Sequence, residues 1–248
     1  MRAFCRVDLA RMAAKSTIIV SLAAMAELTG CATTVPQPEL TASTRSLIAP
    51  VWDAYKRVKN EQQVMPPANG VADSLLRLES LDQVGRKAWR AIDLSQLPAD
   101  QQKAAYDAVW REIRQHDLEN QRALKSMLPS SGWFSETDYG KSVADAAFYI
   151  VQHASNDTSL QHDVLARMSV LMQKHEANGP DYALLYDRLA LQDGKLQRYG
   201  TQMDCKSHKW VLAPLEDPAH ADGRRQGVGI RTSLEKYVAS FDSDPPCQ

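Results

Sequence analysis

The fold class is decided by the longest helical pattern in the chain, Pro98–Met127 (PADQQKAAYDAVWREIRQHDLENQRALKSM). Proline is favoured in the first turn of a helix, and Pro129 follows just beyond the last helical residue. Between them, Val109, Ile113 and Leu124 share one helical face, which predicts an amphipathic helix with one buried side. The stretch therefore predicts a domain built from packed helices.

The same spacing of apolar residues recurs on both sides of this stretch and predicts five further helices. They cover Leu47–Gln63, Val71–Ile92, Lys141–Ala154, Ser159–Ala177 and Asp181–Gln192. Proline, glycine and other turn-forming residues separate them, as expected for the short connections of a helical bundle.

The C-terminal part has a different pattern. Short alternating stretches at Leu196–Met203 and Lys209–Ala213 flank a polar turn, which predicts a small β-hairpin. Two short helices are expected after it, near His220–Gln226 and from Ser233 on. Thr232 and Glu235 have the spacing of a capping box for the second of them. The expected fold is mainly α, a single-domain helical bundle over residues 47–248 with a small C-terminal β-hairpin.

The N-terminus has the layout of an export signal. Residues 2–15 are basic on balance, Ser16–Ala26 (STIIVSLAAMA) is apolar, and Leu28–Cys31 (LTGC) closes the segment. A membrane-spanning helix needs about 20 apolar residues, so the apolar run is too short to be one. A basic region, a short apolar region and small residues, in this order, are typical of a secretory signal. We therefore predict that residues 1–30 are removed.

The closing Leu-Thr-Gly-Cys resembles the lipobox of bacterial lipoproteins. The resemblance implies that Cys31 receives a diacylglyceryl group and a further acyl chain such as palmitate, so that the protein is anchored to a membrane of the cell envelope. It also implies the periplasmic face of the outer membrane rather than the inner membrane, because Ala32 follows the cysteine. Translation could start at Met1 or at Met12, and both starts leave a leader with a positive charge.

Residues 31–46 are predicted to be the lipid anchor and a flexible tether. The stretch Ala32–Ser46 (ATTVPQPELTASTRS) is polar, contains two prolines and shows no apolar periodicity. The domain itself is then expected to begin at Leu47.

Two cysteines remain in the exported part, Cys205 and Cys247. Exported proteins meet oxidising conditions, which favours one disulfide between them. It would close a loop of about 40 residues and stabilise the fold by about 3–4 kcal/mol in the chain-entropy model. The alternatives are two unpaired thiols, or Cys205 as a nucleophile beside His153.

Composition and motifs exclude several classes of function. The charge is nearly balanced, with 29 basic and 30 acidic residues, and no basic stripe with interleaved aromatic residues supports nucleic-acid binding. No serine-hydrolase elbow, zinc-protease helix, paired Cys-x-x-Cys or calcium loop occurs. The six histidines lack ligand-like spacing, so we predict neither a metal site nor a cofactor.

Polar residues interrupt the apolar face of most predicted helices. They are Asp82 and Arg86, Asp117 and Asn120, Gln152 and His153, Gln161, and Asp187 and Arg188. Burying such groups without partners costs about 1–3 kcal/mol each, and more for charges. They must therefore pair with one another or line a cleft. Asp82 and Arg86 are four residues apart and can pair within one helix.

Two interpretations of these residues stay open. In the first they form a polar pocket, with His153 as proton carrier or ligand contact and Asp187 or Asp117 orienting it. The segment that follows the bundle would add Gln197, Tyr199, Thr201 and Gln202. In the second they are a buried hydrogen-bond network that fixes helix register and holds the hairpin to the bundle.

The same residues form part of a wider pattern. It consists of Asp82-Gln83 with Arg86, Asp117 with Asn120 and Leu124, Gly132-Trp133, Gly140, Gln152-His153-Ala154, Gln161, Asp187-Arg188, Gln197, Tyr199-Gly200-Thr201-Gln202, Pro214, Asp217, Asp222, Arg224 and Arg225. In order and spacing the pattern resembles a bacterial family known as domain of unknown function 6624. The resemblance spans roughly residues 75–240 and implies no activity, cofactor or substrate.

The sequence thus leaves three hypotheses for function. The first is a lipid-anchored envelope protein that binds a small molecule or a protein partner through the polar pocket without catalysis. The second is an envelope hydrolase or transferase with His153 as general base and Gln202 or Tyr199 stabilising developing charge. The third is a structural envelope lipoprotein in which the polar residues brace the fold.

Overall fold

The pattern of residues 98–127 forms the longest helix of the computed structural model, Ala99–Met127 (α3). The structure describes residues 39–243. The other α-helices are Ala42–Val64 (α1), Gly70–Arg90 (α2), Glu136–Tyr139 (α4), Lys141–His153 (α5), Thr158–Gln173 (α6), Gly179–Gln192 (α7), Ala221–Gly227 (α8) and Leu234–Ala239 (α9). With one two-stranded antiparallel sheet, they confirm the predicted mainly α fold class.

Helix α1 begins earlier than predicted. Thr41 is its N-cap residue, and the Thr41 side-chain oxygen accepts a hydrogen bond from the backbone N–H of Thr44 at 3.1 Å. The tether predicted to reach Ser46 is therefore too long, because the polar run before Leu47 contains a cap signal and a first helical turn. The predicted signal peptide (residues 1–30) and the lipidated Cys31 lie outside the described residues.

The hairpin is shorter than predicted. Strand β1 is Met203–Lys206 and pairs with β2, Lys209–Leu212, around a turn whose two central residues have positive φ. The first strand predicted at Leu196–Met203 is wrong, since only its last residue is in β1. Residues 197–202 instead curl around α7, and side chains bind four of their backbone N–H groups, those of residues 198, 199, 201 and 202. Cys205 lies in β1, whereas Cys247 lies outside the described residues, so their disulfide stays a prediction.

The tail contains α8 and α9, close to the two predicted short helices. The capping box predicted for Thr232 is wrong by one residue. Ser233 is the N-cap of α9, and its side-chain oxygen accepts a hydrogen bond from the backbone N–H of Lys236. Two single turns of 3-10 helix, Pro218–His220 and Ser240–Ser243, precede α8 and follow α9.

Two apolar clusters form the core. One surrounds α5 and contains Leu124 of α3, and the other lies among α1, α2 and α3 and contains Ile113. Helix α2 packs against α1, α3 and α5. The polar residues Asp117 and Asn120 lie between Ile113 and Leu124 on α3, so a polar layer separates the two clusters. In the described part of the chain, every helix is too short or too polar to span a membrane.

Candidate functional site

The centre of the polar layer is a contact between α2 and α5. The Nδ1 atom of His153 lies 2.8 Å and 3.0 Å from the two carboxylate oxygens of Asp82. A carboxylate can only accept, so Nδ1 carries the hydrogen and donates it. The Asp82 side chain is fully buried, whereas that of His153 is 17% exposed. The buried carboxylate therefore holds the imidazole at Nδ1, and the rest of the ring is partly exposed to solvent.

Arg86 joins this pair to α3. Its Nη2 donates to Asp117 Oδ2 at 2.9 Å, and its Nη1 donates to the backbone oxygen of Asp82 at 2.8 Å. The same Nη1 lies 3.5 Å from Asp82 Oδ1, which confirms the predicted pairing of these two residues within α2. Burial raises the pKa of Asp117, and the neighbouring Arg86 opposes this shift. We call Asp82, Arg86, Asp117 and His153 the His153 cluster.

The His153 cluster also brings together three side chains of the types that bind metal ions. Asp82, Asp117 and His153 each offer one ligand atom, and these atoms lie within 4.8 Å of one another, the one such group in the described residues. Arg86 already contacts both carboxylates, however, and supplies the positive charge that a metal ion would bring. An ion entering here would displace or oppose the guanidinium. We therefore interpret the arrangement as an ion-pair network.

Two residues outside the predicted set lie close to the cluster. Gln83 donates from Nε2 to Asp82 Oδ2 at 2.8 Å. The ring of Tyr55, on α1, stacks on His116 with centroids 3.8 Å apart and lies over Gly85. Burial raises the pKa of Tyr55. Gln83 could have been found from the sequence, as part of the Asp82-Gln83 pattern. Tyr55 could not, because an aromatic residue on the apolar face of a helix is expected to be an ordinary core residue.

The open side of the cluster lies at the C-terminal end of α5. The Nε2 atom of His153 makes no hydrogen bond to any residue between 39 and 243. The backbone oxygen of Gln152 accepts hydrogen bonds from Arg188 of α7 and from Gln161 of α6, and Gln161 also binds the oxygen of Val151 at 2.9 Å. These side chains satisfy carbonyls that the helix end would otherwise leave unpaired. In the part of the chain that the structure describes, Gln152 makes these contacts through its main chain only.

Asp187 belongs to a second network. Its buried carboxylate accepts hydrogen bonds from the backbone N–H groups of Arg198, Tyr199 and Thr201 and from the Thr201 hydroxyl, at 2.6–2.9 Å for the shortest contact of each. All of these partners lie in the segment that curls around α7. The carboxylate thus fixes that segment and has no capacity left for His153.

The same segment is held by two further buried side chains. Gln197 donates to the backbone oxygens of Ala213 and Gln202 and accepts from the N–H of Gln202. Arg225 donates to the backbone oxygens of Tyr199, Gly200 and Thr232. We call Asp187, Gln197, Arg225 and their partners the loop network. Arg225 was part of the sequence pattern but not of the predicted site.

The structure thus corrects the predicted site in one main respect. His153 is oriented by Asp82, not by Asp187 or Asp117, because Asp117 pairs with Arg86 and Asp187 binds the loop. Gln202 and Tyr199 were predicted to stabilise charge near His153. Gln202 instead donates from Nε2 to the backbone oxygen of Leu184 and to Thr201, while Tyr199 is held through its main chain and packs edge-on against Tyr186. Both belong to the loop network.

Asn120 and Gln121 continue the polar layer along α3. Asn120 donates to the backbone oxygen of Leu78 at 3.5 Å, a long contact. Gln121, absent from the predicted set, donates to Asp157, which also caps α6 by accepting from the backbone N–H of Leu160 at 3.0 Å. These contacts join helices and leave the His153 cluster as the open part of the layer.

A family model described as "Family of unknown function (DUF6624)" matches residues 88–244. The chain belongs to this family. The match confirms the resemblance seen in the sequence, and it includes Asp117, His153 and Asp187 but begins after Asp82 and Arg86. Comparisons with curated proteins and with solved structures give no match. Membership in DUF6624 therefore places the chain among relatives without assigning an activity.

Proposed function

We propose that this DUF6624 protein is a lipid-anchored protein of the bacterial cell envelope whose helical domain binds a small molecule or a protein partner through the His153 cluster. The leader and Leu-Thr-Gly-Cys31 support the anchor. The periplasmic face of the outer membrane is the proposed location, because Ala32 follows the cysteine.

One observation supports the binding role most directly. The Asp82 side chain has no solvent exposure and fixes Nδ1 of His153, while Nε2 makes no hydrogen bond among the described residues. A histidine that only braces a core is expected to use both ring nitrogens or to be sealed from water. His153 does neither. The carboxylate of Asp187 in the loop network, by contrast, is buried and fully hydrogen-bonded, as expected of a residue with a purely structural role.

The same geometry favours a second candidate function, an envelope hydrolase or transferase. A carboxylate on Nδ1 holds the imidazole in the tautomer whose Nε2 can take a proton from water or from a hydroxyl group. His153 would be the general base, and Asp82 would be its positioning residue. This candidate differs from simple binding in that a bound small molecule is chemically changed.

The proposal is tested with His153→Gln in the full-length protein. We expect the variant to keep its cellular level and its melting temperature but to lose the phenotype that the wild-type gene restores in a deletion strain. The matched control is His162→Gln, which removes an exposed histidine 3.4 Å from Asp193. A large loss of stability in His153→Gln, or an unchanged phenotype, would contradict the proposal. If the variant still binds a ligand that wild type converts, catalysis is the better description.

The anchor is tested separately, by palmitate labelling and membrane fractionation. Cys31→Ala is expected to lose the label and to leave the membrane fraction, because removal of the acyl chains removes about 0.8 kcal/mol of membrane affinity per buried methylene. Cys5→Ala, within the leader, is the control and should keep both properties. Retention of label in Cys31→Ala would rule out this anchor.

A further inference from the structure

Arg188, at the open side of the His153 cluster, has no carboxylate partner among the residues that the structure describes. It projects from α7 and is partly buried, and its only hydrogen bond to residues 39–243 runs from Nη1 to the backbone oxygen of Gln152. Arg86, by contrast, contacts both Asp82 and Asp117. The guanidinium of Arg188 therefore keeps Nε and Nη2 as unused donors next to the residue that precedes His153.

The electrostatic surroundings of Arg188 are unfavourable. Burial lowers its pKa, and within residues 39–243 the charged group that adds to this effect is Arg86, a second guanidinium. No carboxylate in the described residues compensates. A desolvated cation beside a like charge costs free energy unless an anion or several acceptors offset it.

Helix capping explains only part of this arrangement. One donor of Arg188 satisfies a carbonyl at the end of α5, which Gln161 already binds from another side. The more deeply buried Arg225 has a purely structural role and provides a comparison. Its donors bind the backbone oxygens of Tyr199, Gly200 and Thr232, and its guanidinium lies 5.1 Å from the ring centroid of Tyr237. Arg188 has no such set of acceptors.

We propose that Arg188 and His153 form an oxyanion site that takes a phosphate or carboxylate group on the ligand of the His153 cluster. The inference rests on the proposed function, since the anion would bind at the same open side. The unused Nε and Nη2 of a planar guanidinium match the two oxygens of such a group. Nε2 of His153, the acceptor nitrogen of the tautomer that Asp82 fixes, would take a hydrogen bond from a hydroxyl group of the phosphate or of the ligand.

The test uses the full-length chain in detergent and inorganic phosphate as the probe, at constant ionic strength with chloride as the balancing anion. Calorimetric titration is expected to show one phosphate per wild-type chain. Arg188→Gln should weaken binding by about 10- to 100-fold, the size of one charge-assisted hydrogen bond. The matched control is Arg198→Gln, which removes an exposed arginine paired with Glu216 at 2.9 Å and should leave the affinity unchanged.

Arg188→Lys covers the case in which the glutamine variant fails to fold, because it keeps the charge and a donor for Gln152. It should bind phosphate more weakly than wild type, since an ammonium group lacks the two-pronged geometry. Parallel titrations with acetate and with glycerol 3-phosphate show whether a carboxylate, a free phosphate or a lipid-headgroup phosphate binds best.

The inference is overturned if none of these anions binds, or if Arg188→Gln and Arg198→Gln bind as wild type does. These measurements also distinguish failure of this inference from failure of the proposed function. If no anion binds but His153→Gln still loses the cellular phenotype, a binding site at His153 is still supported and only its preference for an oxyanion is rejected.

Discussion

His153 and Asp82 meet across 71 residues of sequence, with Nδ1 of the imidazole within 3.0 Å of both carboxylate oxygens. Because the Asp82 side chain of α2 is fully buried, the core and not the surface sets the orientation of the ring. A ligand that reaches Nε2 therefore meets a donor or acceptor that is already fixed in place. Such preorganisation lowers the entropic cost of binding.

The charge balance of the cluster depends on Arg86. We expect Arg86→Met to lower the free energy of unfolding by about 3–5 kcal/mol at pH 8, because it leaves two buried carboxylates without their cation. The loss should be smaller at pH 5 than at pH 8, since burial raises the pKa of Asp117 and the substitution removes Arg86, which opposes this shift. Urea denaturation at both pH values measures the effect.

Arg90→Met is the control for that experiment. Arg90 is exposed at the end of the same helix, so its substitution should change the free energy of unfolding by no more than about 0.5 kcal/mol. Equal losses for Arg86→Met at pH 5 and pH 8 would show that the cost comes from lost packing and not from the buried carboxylates.

Asp187 should matter for stability and not for the open side of the cluster. Asp187→Ala leaves the N–H groups of Arg198, Tyr199 and Thr201 without their acceptor, at about 1–3 kcal/mol for each that stays buried. Hydrogen exchange should become faster over residues 196–203. Asp193→Ala, at the exposed end of α7, is the control. Unchanged exchange in that segment would contradict the loop network.

Much of the fold could be predicted because helical spacing and caps are local. The bounds of α3 agree with the sequence prediction to within one residue at its N-terminus, where Pro98 marks the start. The false strand at Leu196–Met203 had a non-local cause. Its alternating pattern was real, but Asp187 binds the backbone N–H groups that a strand would need, and Gly200 takes a φ of 68°. Period-two spacing alone does not reveal such competition.

The four residues of the His153 cluster could be predicted, but the pairing between helices could not. Every polar residue on an apolar face had to find a partner, which identified Asp82, Arg86, Asp117 and His153. Which carboxylate reaches His153 depends on how α2, α3 and α5 pack, and spacing along one helix carries no such information. The prediction that Asp187 or Asp117 orients His153 is therefore wrong, although the four residues of the His153 cluster were all in the predicted set.

Gly85 allows the ring of Tyr55 to pack directly against α2. A Cβ atom at residue 85 would lie 2.3 Å from Tyr55 Oη and 2.4 Å from Cε2, too close for any real contact. We expect Gly85→Ala to cost about 1–3 kcal/mol, as overpacked cores do. Combined with Tyr55→Ala, it should cost less than the sum of the single changes, because the ring that it meets is gone.

Gly223→Ala provides the comparison for Gly85→Ala. Residue 223 also lies in a helix, but a Cβ there meets nothing within 4 Å. Thermal unfolding should therefore show a gain of about 0.5–1 kcal/mol, from the lower backbone entropy of alanine in the unfolded chain. If both variants gained stability, the close approach of Tyr55 to α2 would be wrong.

A second pair of carboxylates lies apart from the cluster, where α5 and α7 meet. Burial and the charge of Asp145 raise the pKa of Asp181 to about 7, while Lys141 acts in the opposite direction. Lys141 also pairs directly with Asp145, at 2.7 Å. Near neutral pH, Asp181 is therefore held in a place that favours its protonated form.

This arrangement predicts a specific pH dependence of stability. Because the pKa of Asp181 is higher in the folded state than in the unfolded state, its contribution is fully present below pH 4, falls as the pH rises, and is lost above about pH 7. Asp181→Asn should match wild type near pH 4 and melt higher at pH 8, by about 2–4 °C for each kcal/mol recovered. Asp163→Asn, an exposed change on α6, should show no such trend. A difference between wild type and Asp181→Asn that does not vary from pH 4 to pH 8 would mean that Asp181 is already ionised throughout.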